Sequence, residues 1–397
     1  MPLLVAALSA TMALSILGDS MLYAVLPAHA ASLGIPVAGV GVILSVNRWI
    51  RLASNFGAAE AFRRVGSRRG LIIGSLLATA STLSYGLFPY LGGLIPARIA
   101  WGTSFSLLRL GAYAGIIQEG HDTSRGRLMG LHQAISRTGS LVAVLLGGFL
   151  VVAIGFRATA IAFGLVGFLG LGLVLAFAGR LRLDSAPPPD RPIARPYIDL
   201  AWTPVNRLNL AVLIAAFISP GAGVATIGLL LYRRYGDALE LGGFSIGIAA
   251  VAGVFVATKF AADILISPIF GDISDRLGRR PVTALAVALT VTGLLLLAFP
   301  FPIPILALGA VLIYIAAAGL YIVLETWATD LAGSGDWRLL MSTFATARDV
   351  GSALAPLLAF ALAAVIGLAW VYAGCAVLAL AILLILPRPP APESSKA

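Results

Sequence analysis

Residues 271–281 read Gly-Asp-Ile-Ser-Asp-Arg-Leu-Gly-Arg-Arg-Pro, a short charged stretch between two long apolar runs. A diverged copy lies 212 positions earlier, at residues 59–69, again between apolar runs. The same offset places residues 139–150 on residues 351–362, and both segments begin with Gly-Ser. Two matches at one spacing indicate that the chain is a tandem of two related halves.

The composition is that of an integral membrane protein. Hydrophobic residues make up 59% of the chain and charged residues 11%, against about 25% charged in soluble domains. Crossing a hydrocarbon core takes roughly 20 apolar residues, and twelve runs are long enough. They lie near residues 4–27, 37–62, 70–88, 91–118, 127–153, 158–179, 207–232, 243–268, 281–299, 305–329, 340–366 and 368–387.

These runs predict an all-α membrane protein whose twelve transmembrane helices form two pseudo-symmetric six-helix bundles. We expect the bundles at residues 1–180 and 207–387. Residues 181–206 form a Pro-rich cytoplasmic linker and residues 388–397 a cytoplasmic tail in this interpretation. Paired halves in a membrane protein usually build a transporter with its site at their interface.

The net charge of +10 is explained by membrane topology. With a cytoplasmic amino terminus, the inside loops and tail carry seventeen basic residues, and the outside loops only Arg157, Arg233 and Arg234. The positive-inside rule then places both termini in the cytoplasm, in a bacterial-type cytoplasmic (inner) membrane. A nucleic-acid partner is not expected. The single cysteine, Cys375, excludes disulfides and cysteine metal sites.

Several motifs resemble one family. Residues 271–281 match the loop signature G-x-x-x-D-R-x-G-R-R of the major facilitator superfamily, between helices eight and nine. Residues 18–27 resemble the first helix of its drug/proton antiporter-type branch, Arg98–Gly102 its fourth-helix R-x-x-x-G motif, and residues 139–150 its fifth-helix antiporter motif. The resemblance implies the two-bundle fold and a gating role for Gly271, Asp272, Asp275, Arg276, Gly278, Arg279 and Arg280.

The first copy of the signature departs from the family pattern. Arg63 occupies the position of the aspartate, which in the family stabilises the outward-open gate, so Asp275 is the residue that fits this role. Glu60, one turn before Arg63, is a candidate substitute. In the fifth helix Val144 replaces the motif's proline, whereas the second half keeps Pro356.

Charges within the apolar runs are the candidate site. An ionisable group at the bilayer centre costs at least ~2.5 kcal/mol and needs a partner or a wet cavity. The substrate or coupling candidates are Asp19, Arg48, Arg51, Arg98, Arg137, Lys259, Asp263 and Asp349. At 1.5 Å per residue, Arg137 lies about 15 Å from the cytoplasmic end of its helix, and Arg48 and Asp349 come out near the same mid-membrane depth.

Alternatives stay open for several of these residues. Lys259 and Asp263, one turn apart, either neutralise one another or act on substrate. Asp19 either couples protons or forms a salt bridge to an arginine of the first half, and Arg51 belongs either to the site or to a cytoplasmic gate. Arg109 and Glu325, toward the inner ends of their helices, are interpreted as gate or topology residues.

The sign balance favours an anionic or zwitterionic organic solute. Among its intramembrane charges, the first half has five arginines and one acid. Guanidinium groups bind carboxylates and phosphates through two parallel hydrogen bonds. We expect a monomeric secondary transporter whose partners are a small-molecule substrate, protons and lipid, working as a proton-coupled exporter. The alternatives are an uptake symporter or facilitator and, remotely, a non-transport membrane protein. No catalytic motif, cofactor site or metal site is predicted, so an enzyme is not expected.

Overall fold

The computed structural model describes residues 1–119, 125–181, 203–241, 244–332 and 337–387. Nearly all of these residues are helical. Residues 388–397 of the predicted tail lie outside the described part of the chain, as does the predicted linker except for residues 181 and 203–206. The linker and tail, and the basic residues within them, therefore stay predictions.

The helices form twelve membrane spans, several of which are broken by a bend. In chain order they are Leu3–Ser15 with Leu17–His29, Val37–Val65, Ser67–Leu87, Leu91–Glu119, two spans within Arg125–Phe177 that meet at Gly155, Pro204–Ala216 with Phe217–Gly223 and Val224–Tyr235, Ile248–Leu265 with Ser267–Leu277, Arg279–Ala298, Ile303–Ala332, Trp337–Val365, and Leu368–Ile385. A short 3-10 turn, Ala178–Arg180, ends the sixth span. The predicted twelve-helix, two-bundle fold is confirmed.

Hydropathy distinguishes two of these spans from the rest. Within the described residues, nine helical segments are long and apolar enough to cross a membrane, and one of them contains both the fifth and the sixth span. The second span, Val37–Val65, and the fourth, Leu91–Glu119, are absent from that set. The second span carries four arginines and the fourth carries two, which lowers their hydropathy. The two spans with the lowest hydropathy thus carry three of the candidate site residues, Arg48, Arg51 and Arg98.

The backbone repeats the 212-residue offset at two bends. Gly66 and Gly278 separate consecutive spans with φ of +81° and +87°, and Gly155 and Gly367 do so with φ of +82° and +87°. A left-handed conformation of this kind favours glycine over residues with a Cβ. The equivalent turns of the two halves therefore use the same residue in the same conformation.

A second repeated feature is the approach of the fifth and eleventh spans to the first helix of each half. A Cβ added to Gly139 would lie 2.4 Å from the carbonyl oxygen of Ala13, and one added to Gly351 would lie 2.1 Å from that of Leu213. These glycines are 212 positions apart, whereas their neighbours are 200 apart. The two halves thus share a packing contact, and the division at residues 1–180 and 207–387 stays a prediction.

The offset between equivalent residues is 200 at Ala13 and Leu213 and 212 at Gly66 and Gly278. Between these positions, the second half contains an irregular region that the sequence pattern did not predict. The eighth run was predicted from residue 243, but its helix begins at Ile248. Before it, strand Ala238–Leu241 pairs antiparallel with Phe244–Gly247. The seventh span contains a π-helical turn, Phe217–Gly223, that includes Pro220. Proline has no N–H to donate, which accounts for the break in regular α-helical bonding.

The two halves meet mainly on one side of the membrane. We call the side that carries residues 1 and 387 the terminal face and the other side the opposite face. Toward the opposite face, Leu17–His29 packs against Val224–Tyr235 of the other half. Toward the terminal face, Leu3–Ser15 and Pro204–Ala216 find their main packing partners within their own halves. The halves therefore close at the opposite face and diverge toward the terminal face.

Glycines make this closure tight. A Cβ on Gly41 of the second span would lie 2.5 Å from the carbonyl oxygen of Pro356 on the eleventh. A Cβ on Gly253 of the eighth span would lie 2.3 Å from the carbonyl oxygen of Val144 on the fifth. Small residues of this kind let the backbones of membrane helices touch. Any side chain at these two positions would push the halves apart.

Candidate functional site

The first element of the candidate site is an ion pair buried inside the first half. The guanidinium of Arg98 pairs with Asp19; the Arg98 side chain is 0% exposed and that of Asp19 is 13% exposed. Arg98 Nε also donates to the carbonyl of Ile43 at 3.0 Å, and Asn47 Nδ2 donates to Asp19 Oδ1 at 3.2 Å. The pair therefore ties together the first, second and fourth spans. The two resemblance motifs on the first and fourth helices meet here.

Tyr23 links this pair to Arg48, a role that sequence reasoning missed. Its hydroxyl donates to the carbonyl of Leu44 at 3.1 Å and accepts from Arg48 Nε at 3.2 Å. The guanidinium carbons of Arg48 and Arg98 each lie 5.6 Å from the centre of the Tyr23 ring. The available signal was spacing, because Tyr23 lies one helical turn after Asp19 on the same face.

Arg51 and Arg109 lie around a single aromatic ring. The guanidinium carbon of Arg51 is 4.6 Å from the centre of the Phe105 ring, and that of Arg109 is 5.4 Å from it. Arg109 Nη2 also donates to Asn55 Oδ1 at 2.9 Å. Arg51 and Asn55 of the second span thus face Phe105 and Arg109 of the fourth.

A third group of charges joins the two halves. Arg137 of the fifth span lies 3.3 Å, Nη1 to Oδ2, from Asp263 of the eighth span. Lys259, one turn before Asp263, pairs with the same carboxylate. The side chain of Arg137 is 43% exposed, whereas those of Lys259 and Asp263 are 11% and 17% exposed. The carboxylate that Arg137 contacts is thus that of Asp263 in the second half.

The eleventh and tenth spans complete the site. Asp349 is close enough to Arg48 and Arg51 to attract both through space, and it is in no ion pair with any described residue. Arg48, Arg348, Asp263 and Asp349 all act electrostatically on the hydroxyl of Tyr321, which is buried without a hydrogen-bond partner among the described residues. Arg48 and Asp349, two of the three charges predicted at mid-membrane depth, therefore act on the same hydroxyl group as Asp263 and Arg348.

The loop signature lies apart from these charges, at the terminal face. Arg279 Nη1 donates to Asp275 Oδ1 at 2.5 Å and to Ser274 Oγ at 2.6 Å, and Arg279 Nε donates to Asp330 Oδ2 at 3.0 Å. The turn at Gly278 brings Arg279 back beside Asp275. Arg279 thus connects the end of the eighth span to the end of the tenth.

The remaining members of the signature are placed differently. Asp272, Arg276 and Arg280 are exposed, and Gly271 has no neighbour within 4 Å of an added Cβ. In the first copy, Glu60 accepts hydrogen bonds from Arg63 Nη2 at 2.6 Å and Nε at 2.7 Å and also pairs with Arg64. These contacts lie within one helix, whereas the contact between Asp275 and Arg279 crosses the turn at Gly278.

A bundle of twelve spans in two related halves, with charges buried between them, has the architecture of a polytopic transporter. The family model of the Major Facilitator Superfamily matches residues 8–265 and 251–397, so the chain belongs to that superfamily. No curated protein matches the sequence.

Solved structures similar to this chain are distant in sequence. A mutant of the peptide transporter POT in complex with sulfate has a TM-score of 0.76 at 16% identity, over 97% of this chain and 94% of that one. The nucleoside transporter NupG has a TM-score of 0.75 at 11% identity, over 97% and 100%. The human organic anion transporter MFSD10 has a TM-score of 0.63 at 17% identity, over 98% and 100%. At these identities the similarity shows the fold alone.

Proposed function

We propose that this protein is a secondary transporter that exports a small organic anion or zwitterion by alternating access, coupled to protons. The proposal rests on the excess of basic over acidic side chains within the membrane, counted over both halves. Outside the neutral Asp19–Arg98 pair, three acidic side chains, Asp263, Glu325 and Asp349, face twice as many basic ones. The basic side chains are Arg48, Arg51, Arg109, Arg137, Lys259 and Arg348.

An excess of cations at this depth needs an anion. Unit charges interact several times more strongly in a partly dry protein interior than in water, so uncompensated like charges are costly. A carboxylate or phosphate on the solute would neutralise part of the excess through bidentate contacts with guanidinium groups. The fold is compatible with such cargo, since it is shared with an organic anion transporter and with a transporter solved in complex with sulfate.

Alternating access requires the halves to rock about the site. In the structure they touch at the opposite face and diverge toward the terminal face. If the termini are cytoplasmic, as the basic loops predict, this is an inward-facing state that would receive solute from the cytoplasm. The Arg137–Asp263 contact spans the halves, so its breaking and forming belongs to the proposed cycle.

Asp263 is the proposed proton-coupling group. Its carboxylate is shared by Arg137 and Lys259, one cation from each half. A protonated Asp263 would hold Arg137 less strongly, which would release the contact between the halves and free Arg137 for an anionic solute.

The second candidate function, uptake by a symporter or facilitator, uses the same site with the opposite direction of net flow. The contact between Asp19 and Arg98 supports the antiporter-like branch, because it joins two motifs that resemble that branch.

The setting of this cycle is also a proposal. We place the protein as a monomer in a bacterial-type cytoplasmic membrane with both termini in the cytoplasm. The basic loops support this orientation.

Transport assays in proteoliposomes with an imposed pH gradient test the proposal. The panel contains organic anions, zwitterions and cationic dyes. We expect anions or zwitterions to move against their gradient when protons flow the other way, and the gradient to have no such effect in empty liposomes. Movement of anions in the same direction as protons would support the alternative function, uptake by a symporter. Transport of the dyes alone would overturn the proposal.

A further inference from the structure

The Arg51–Phe105–Arg109 cluster is not explained by contacts within the protein. Two guanidinium groups lie at 4.6 Å and 5.4 Å from one phenyl ring, at cation–π distance. Such a ring stabilises each positive charge but neutralises neither. The two arginines therefore lie near each other with their charges uncompensated at close range.

The hydrogen bonds of the cluster leave much of both guanidinium groups free. Arg51 Nε is buried and has no hydrogen-bond partner among the described residues. Arg109 is held by Asn55 Oδ1 at 2.9 Å, but the same oxygen accepts from Ser106 Oγ at 2.7 Å. A carbonyl oxygen has two lone pairs, so Asn55 Oδ1 has no further capacity. Neither Arg51 nor Arg109 forms an ion pair with any residue that the structure describes.

The surroundings add positive charge. Arg48 and Arg109 both act on Arg51 as like charges, and Asp349 is the carboxylate that opposes them. Asp349 is also shared with Arg48. Asp19 also attracts Arg48, but it is already paired with Arg98. With Arg109 included, the three arginines carry two more positive charges than Asp349 balances.

We propose that Arg51 and Arg109 form an anion subsite for a doubly charged group, and that the transported solute is an organic dianion such as a phosphate monoester or a dicarboxylate. This inference rests on the proposed function and narrows its substrate class. Both guanidinium groups contact the Phe105 ring, and the solute supplies the counter-charge that the protein lacks. A monoanion would leave one of the two charges uncompensated.

Binding to the purified protein tests the subsite with two matched pairs of probes. Phenyl phosphate is compared with benzoate, and succinate with butyrate, at about pH 8, where a phosphate monoester carries two charges. We expect each dianion to bind about tenfold or more tightly than its monoanionic partner. In Arg51→Gln and in Arg109→Gln, we expect dianion affinity to fall by about tenfold or more, because one charged hydrogen-bond partner is lost. Monoanion affinity should change much less.

Two controls keep the result interpretable. Arg157→Gln removes the same charge from an exposed position at the opposite face and should bind all probes as the wild type does. Arg51→Lys and Arg109→Lys keep the charge but not the planar fork, and should fall between wild type and the Gln variants. These variants also serve if a Gln variant fails to fold, which thermal unfolding would reveal.

The outcomes separate this inference from the broader proposal. Equal affinity for dianions and monoanions, or dianion affinity unchanged in the Arg51 and Arg109 variants, would overturn the dianion subsite and leave anion transport standing. Binding of cationic dyes with no binding of any of the four anions would overturn both. Absence of all binding would also count against both.

Discussion

Two ion pairs inside the membrane differ in where they lie and therefore in what they can do. Asp19–Arg98 joins helices of one half, and its arginine is fully shielded at 0% exposure. Arg137–Asp263 joins the two halves, and its arginine is 43% exposed. The first pair can persist through any rigid-body movement of the halves. The second must change when the halves rock, so only the second is suited to couple movement to a ligand or a proton.

The strongest test of this difference is stability. Arg98→Met leaves Asp19 charged and buried without its partner, which should destabilise the protein by about 3–5 kcal/mol. Thermal unfolding of the purified protein measures the loss. The double variant Asp19→Asn with Arg98→Met should recover much of it, because no buried charge is then left unpaired. Arg157→Met is the exposed control, and wild-type stability in Arg98→Met would show that the two pairs do not differ as described.

The second prediction concerns the role of the Arg137–Asp263 pair in transport. Arg137→Ala should reduce transport of the anionic substrate on the order of 10- to 100-fold, since one charged hydrogen bond to the solute is lost. Its unfolding temperature should change little, because a half-exposed pair contributes about 0–1 kcal/mol. Arg137→Lys should also be damaging, since an ammonium lacks the planar fork. An equal loss for uncharged solutes would make Arg137 a structural residue.

Proton coupling sharpens the comparison further. Asp263→Asn removes the titratable group while keeping its shape, so accumulation driven by a pH gradient should fall to the level seen without a gradient. Exchange of labelled for unlabelled substrate, which needs no net proton movement, should remain measurable. Asp237→Asn, an exposed acid at the opposite face, is the control. If accumulation in Asp263→Asn still follows the gradient, the coupling group lies elsewhere.

The smallest expected effect is at the terminal face. Asp275→Asn weakens an exposed contact with Arg279, so it should slow transport by about fivefold or less without changing membrane insertion. Asp237→Asn, which changes an exposed acid outside the signature, is the control. Transport rates are measured in proteoliposomes containing equal amounts of each protein. A wild-type rate for Asp275→Asn would remove this contact from the gating cycle.

The candidate site was partly visible in the sequence. Depth arithmetic from helical rise predicts that Arg48, Arg137 and Asp349 lie at one level. In the structure, charges of both halves act on one buried hydroxyl group, that of Tyr321. Depth does not specify rotation about a helix axis, however. The partner of Arg137 was therefore not predicted, and neither was the position of Tyr23 between two arginines.

The sequence by itself determined the twelve spans and the two related halves. These properties are local or periodic, because hydropathy, helical rise and a constant offset can be read along the chain. Only the tertiary structure decided that Arg98 is closed within one half while Arg137 reaches across to the other, and that the halves touch at the opposite face. Those outcomes depend on how helices pack and rotate against one another, which is set by contacts such as Gly41 on Pro356 and Gly253 on Val144 between residues far apart in the chain.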